Sequence, residues 1–176
     1  MVLVLSGPVH GGKTTFVESC LPGWRARGLA CDGFLSPAAA GGDGYDLLEL
    51  GTGGRRPYLR LRAVPGAERT GPFFVIPETL ERARSLVRGA RPGRLLVVDE
   101  VGPLELRGGG LWPALRGTVG RPGTDALVVA RGKVAEKLAA ALAPVVPAVC
   151  DIRDPRVRAL LDAHLFGPAG PDDRQG

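Results

Sequence analysis

Three observations on this 176-residue sequence predict a three-layer α/β fold with a mostly parallel sheet. Residues 2–5, 95–98 and 126–130 form continuous apolar runs, the pattern of parallel strands covered on both faces. Helix-period segments alternate with those runs, which calls for right-handed crossovers and helices on both sides of the sheet. Gly 27 and Pro 16 supply many turns, while a hydrophobic content of 44% is enough for an ordinary core.

The elements follow in order. After the strand at 2–5, the stretch 7–14 is turn-like, and 14–27 reads as a helix whose last part Pro22-Gly23 should break or kink. A second strand runs over 28–35. Residues 44–63 (GYDLLEL, a Gly-rich turn, then PYLRLRA) read as an inserted antiparallel hairpin. A short strand at 71–76 precedes a helix at 77–88, with Pro77 in its first turn and Gly89 as its stop. The strand at 95–98 ends in Asp99-Glu100, and a glycine-rich loop reaches Gly110. A helix at 111–118, the strand at 126–130, a helix at 133–142 and a strand at 145–149 come next. Asp154-Pro155 should cap a last helix ending near His164. No repeat or linker divides residues 1–166, so one domain is expected, and 167–176 (GPAGPDDRQG) lacks an apolar face and should be disordered.

Charge and composition exclude several classes. Lys+Arg 23 against Asp+Glu 18 leaves +5, too mild to call for nucleic acid. Only Lys13, Lys133 and Lys137 are lysines; there is no Asn, and the only Gln is Gln175. A guanine-reading Asn and a water-positioning Gln of the ordinary GTPase kind are therefore ruled out. The apolar start is too short for a signal peptide, and no stretch approaches the ~20 apolar residues of a membrane helix. Cys20, Cys31 and Cys150 lack the spacing of a zinc site and read as buried, reduced thiols of a cytoplasmic protein with no membrane partner.

The chemistry is concentrated in Gly7-Pro8-Val9-His10-Gly11-Gly12-Lys13-Thr14, followed by Thr15, which fits G-x-x-x-x-G-K-[ST] between a buried strand and a helix. Gly7 and Gly12 permit turns that aim successive amides at a phosphate, and the helix dipole favours the same anion. Lys13 would reach the β and γ phosphates of a nucleoside triphosphate, and the Thr14 hydroxyl would ligate Mg²⁺. Asp99, at the C-terminal end of its strand, is suited to hold Mg²⁺ through a water. Glu100 follows directly and, with no glutamine for the task, is the leading base for an attacking water. Adjacent Asp-Glu also fits the P-loop branch in which an extra strand separates the two motif strands.

With both motifs in place, the sequence resembles the small P-loop nucleoside-triphosphatase family first described from thermophiles, whose members look like nucleotide kinases. The matching stretches are GPVHGGKTT (7–15), Gly33-Phe34-Leu35, GYDLLEL and RRP within 44–57, FFVIPETLERA (73–83), VVDEVGPLEL (97–106) and VVAR (128–131). The resemblance implies Mg²⁺-dependent hydrolysis of ATP and GTP with broad base tolerance. His10 in the loop and Pro22-Gly23 in the first helix depart from its pattern.

Other residues remain open. Arg131, at the end of the third apolar strand, would stabilise developing phosphate charge or else cap carbonyls. Glu105 would support the metal indirectly or be a solvated charge. Arg55, Arg56, Arg60 and Arg62 cluster on the hairpin, as a phosphate-binding patch or, in the favoured reading, the solvated face of a two-stranded flap; few aromatics interleave with them, which weighs against nucleic acid. Asp32 or Ser36 would meet the nucleophile. The His10 ring is expected to point outward, and His164 to be structural. A phosphoryl-transferring kinase, or a slow nucleotide-driven switch acting on a protein partner, are the rival functions.

Overall fold

The computed structural model describes residues 1–167, apart from the side chain of Glu100; the rest of the expected disordered tail lies outside the described residues. Strands β1 (Val2–Ser6), β2 (Cys31–Leu35), β3 (Gly44–Glu49), β4 (Arg55–Arg60), β5 (Glu68–Thr70), β6 (Phe73–Val75), β7 (Leu95–Val101), β8 (Asp125–Ala130) and β9 (Ala148–Asp151) form a single sheet. Their order is β5-β6-β4-β3-β2-β7-β8-β1-β9. The part from β2 to β9 is parallel, and the part from β3 to β5 is antiparallel. As expected from the adjacent Asp-Glu pair, one strand, β8, separates β1 from β7.

Helices cover both faces. On one, α2 (Pro77–Arg88), α4 (Trp112–Arg116) and α5 (Gly132–Ala141) pack on Val4, Leu96, Val98 and Val128. On the other, α1 (Lys13–Ala26) and α6 (Val157–Phe166) cover Leu3, Leu5, Val97 and Val129. Alternate residues of each strand thus feed opposite cores, which is why the strands read as unbroken apolar runs.

The helix α1 runs through Pro22 to Ala26, so Pro22-Gly23 neither breaks nor shortens it. A proline inside a helix costs ~3 kcal/mol. Here Pro22 and Gly23 face solvent, while Cys20, Leu21 and Trp24 on the opposite side are buried. Burial of large apolar side chains contributes ~1.5–3 kcal/mol each, and the Trp24 indole N–H also reaches Asp162 at 2.9 Å. Together these outweigh the lost turn.

The expected flap is instead continuous with the main sheet: β3 pairs with β2, and β4 pairs with β6. Its arginines are taken up by carboxylates. Arg55 and Arg60 both bind Asp46, while Arg56 and Arg82 bind the buried Glu49. Hydrogen bonds from Arg82, against the effect of burial, hold the Glu49 carboxyl below its ordinary range. Arg55, Arg56 and Arg62 are nonetheless exposed, as a solvated face requires, while Arg60 is half-buried. Where β2 passes β7, only glycine fits: a Cβ on Gly33 would lie 2.0 Å from the Val97 carbonyl oxygen.

Other differences are local. A short helix α3 (Pro103–Leu106) occupies the expected loop, and β5 was not expected. The last strand starts at Ala148 rather than 145, after Pro147, and the last helix starts at Val157, with Asp154 accepting from the Arg156 amide at 2.8 Å.

Candidate active site

The C-terminal ends of β1, β7 and β8 meet at one edge, and the phosphate loop closes over it. Gly7 leaves β1, and its carbonyl accepts from the Gly132 amide at 3.0 Å, tying the loop to the start of α5. Pro8 and Val9 form the exposed outer arc, and the Gly11 amide turns back to the Pro8 carbonyl at 3.2 Å. His10 (φ 57°) and Gly12 (φ 75°) are both left-handed, the conformation that aims main-chain amides into a concavity. Glycine adopts it freely; histidine adopts it at a cost. His10 is exposed, and its Nδ1 sits 3.4 Å from the Tyr45 hydroxyl on β3.

Lys13 opens α1 and is buried, its Nζ donating to the Pro8 carbonyl at 2.7 Å. Gly12 provides no side-chain cap, and the first turn contains no acidic residue. The positive end of the helix dipole therefore has no carboxylate in its first turn to answer it, which suits a bound anion. Thr14 and Thr15 complete a groove of about 240 Å³ lined by His10, Lys13, Ser36 and Tyr45.

Asp99 lies in β7 and is fully buried; its Oδ2 accepts from the Ser36 amide at 2.9 Å. Between Val98 and Val101 the pairing advances three residues on β7 but two on β8. This bulge reverses the alternation, since Val101 joins the same core as Val98. The backbone of Glu100 sits in that bulge, while its side chain lies outside the described residues. Arg131 follows β8, occupies the N-cap of α5 and borders the phosphate loop in a second pocket. That pocket, about 700 Å³, has Pro8, Val9, Val134 and Val149 among its walls and Asp151 and Arg153 at its rim. Arg153 holds the Asp151 carboxyl down to about 2.

Several candidates lie elsewhere or are already committed. Asp32 sits at the opposite end of β2, bound by Arg91 and Arg94 at 2.6 and 2.8 Å, and cannot reach the groove. Glu105 is buried, and its two oxygens accept from the Gly102 and Leu111 amides at 2.8 and 3.2 Å, pinning the loop after β7. Burial pushes its carboxyl up despite these bonds. Glu105→Ala leaves two buried amides unsatisfied at ~1–3 kcal/mol each. We expect a net loss of about 2–4 kcal/mol in urea-induced unfolding; an unchanged midpoint would contradict the pinning role. His164 is exposed on α6. Tyr45 carried no sequence signal as a groove residue, because only the register of β3 brings it to His10.

Thr14 and Asp99 offer hard oxygen donors of the kind Mg²⁺ takes. Among the described residues no group of three His, Cys, Asp or Glu could hold a metal alone. A cation here would draw its remaining ligands from phosphate oxygens and water, which is the usual habit of Mg²⁺. The donor set fits.

A family model described as NTPase matches residues 2–149. The chain belongs to this NTPase family. A nucleoside-triphosphatase THEP1 of Methanopyrus kandleri is 31% identical over 118 residues, covering 65% of this chain and 64% of that protein. The human cancer-related nucleoside-triphosphatase is 33% identical over 132 residues, 68% of this chain and 70% of that one. The chain thus aligns with a little under two thirds of the first of these NTPases and somewhat more of the second. The solution structure of a human cancer-related nucleoside triphosphatase superposes with a TM-score of 0.69 at 28% identity, over 93% of this chain and 94% of that one. The crystal structure of THEP1 from Aquifex aeolicus superposes at 0.62 with 18% identity, over 92% and 98%, which speaks for the NTPase fold alone. No described helix is long and apolar enough to cross a membrane.

Proposed function

We propose that this member of the NTPase family hydrolyses nucleoside triphosphates, ATP and GTP among them, to diphosphate and phosphate with Mg²⁺. One observation carries the reading: a buried ammonium, inward-turned amides and a buried aspartate converge at the edge where β1, β7 and β8 end. Little covalent chemistry is asked of the protein in phosphoryl transfer, so positioning and charge stabilisation dominate.

In this reading the main-chain N–H groups of residues 9–15 hold the β-phosphate, with Pro8, which has no N–H, shaping the turn. Lys13 exchanges its bond to the Pro8 carbonyl for phosphate oxygens as negative charge builds on the leaving group. Thr14 and Asp99 would hold the cation, which would supply neutralising charge to the phosphate oxygens. Glu100 orients the attacking water and takes its proton. Arg131, next to the loop, adds positive charge late in the reaction. Pro8, Val9, Val134 and Val149 give the nucleoside an apolar wall, and apolar contacts discriminate little between bases, which supports broad base tolerance. Three buried free cysteines accord with a reducing, cytoplasmic setting.

The test is phosphate release from ATP, GTP, CTP and UTP with Mg²⁺, with and without nucleoside monophosphates. Release from all four, indifferent to acceptor, is expected. Transfer to an acceptor with negligible free phosphate would replace the hydrolase by a kinase.

A further inference from the structure

Ser36 lies directly after β2, is 1% exposed and lines the phosphate groove with Lys13 and Thr14. Its amide is spent on Asp99 Oδ2, but its buried Oγ meets no hydrogen-bond partner among the described residues. A buried hydroxyl without a partner costs free energy, and alanine would avoid that cost with almost the same shape. The hydroxyl is placed beside the one carboxylate that Ser36 itself orients. We infer that Ser36 is a positioning residue whose hydroxyl completes the divalent-cation site by hydrogen-bonding a water of the cation's shell next to Asp99.

This rests on the NTPase reading of the same groove. Magnesium retains several waters when it binds protein and phosphate, and such waters need fixed partners to fix the cation. The main chain of Ser36 aims Asp99 and the side chain would aim a water beside it, so one residue sets two parts of the shell. Thr118 is the internal control. Its hydroxyl is also buried and without a partner among the described residues, but it lies in the turns leading into β8, at the opposite end of the sheet.

The experiment titrates Mg²⁺ against two readouts in wild type, Ser36→Ala and Thr118→Val. One is phosphate release from ATP; the other is binding of the non-hydrolysable analogue adenylyl imidodiphosphate. Ser36→Ala should need about 10-fold more Mg²⁺ for half-maximal effect in both, the lower end expected for an outer-shell partner. Binding of the analogue in EDTA should not change, and the variant without ligand should be as stable as wild type or more so. Thr118→Val should titrate as wild type. A Ser36→Ala curve superimposed on wild type, or an equal shift in Thr118→Val, would overturn the assignment. If wild type released no phosphate, the hydrolase reading would fall, while the binding titration would still decide the role of Ser36.

Discussion

Replacing Lys13 by alanine is expected to lower kcat for phosphate release by at least ~10²-fold, the scale of losing one preorganised donor to a developing anion. The ammonium has no second lysine in the phosphate groove to replace it: Lys133 and Lys137 belong to α5, and Lys133 lines the neighbouring pocket instead. Lys13→Arg should not rescue, because a planar guanidinium needs a broader seat than the space between the Gly7 and Pro8 carbonyls that now receives Nζ at 3.4 and 2.7 Å. The fold should persist, since the loop remains anchored by the Gly132 amide and by β1. Steady-state phosphate release at saturating Mg²⁺-ATP, with circular dichroism to confirm folding, checks this. A folded variant with wild-type turnover would remove Lys13 from the reaction.

Glu100→Gln should cost ~10²–10⁴-fold in kcat, the usual contribution of a positioned general base, while binding of adenylyl imidodiphosphate stays near wild type. The two effects separate because glutamine keeps the shape of the side chain but cannot accept the water's proton. Asp99→Asn is the contrasting variant: it should weaken Mg²⁺-dependent binding, since Asp99 is assigned to the cation. Calorimetric binding and single-turnover hydrolysis, measured side by side, distinguish the pair. Unchanged single-turnover rates in Glu100→Gln would pass the base to another group.

Much of this architecture was legible in local pattern. The helix Pro77–Arg88 has its proline at the start, glycine after its end and a regular apolar face, so every local signal agrees. The phosphate loop was legible because close backbone turns demand glycine at set intervals, and the strands because both faces are covered. Asp99 could be placed at the correct end of its strand by counting from the apolar run. Asp32 could not be excluded that way: its distance from the groove depends on the direction of β2 and on Arg91 and Arg94, about 60 residues away in sequence. The partners of the hairpin arginines were out of reach for the same reason. Asp46 and Glu49 meet them only because β3 pairs with β4 and α2 packs beside them.

By itself the sequence determined the strand-loop-helix that can grip phosphate, the acidic pair after a buried strand, and the absence of any body amide to do a glutamine's work. These are short-range properties, governed by backbone sterics and side-chain period. Only the tertiary structure decided that a bulge at Asp99-Glu100 would reverse the strand's phase, that Glu105 would be consumed by two amides, and that Ser36 would stand beside Asp99 with a spare hydroxyl. Each depends on groups distant in sequence, or on a phase change that no alternation of apolar residues announces. Register and burial set such contacts.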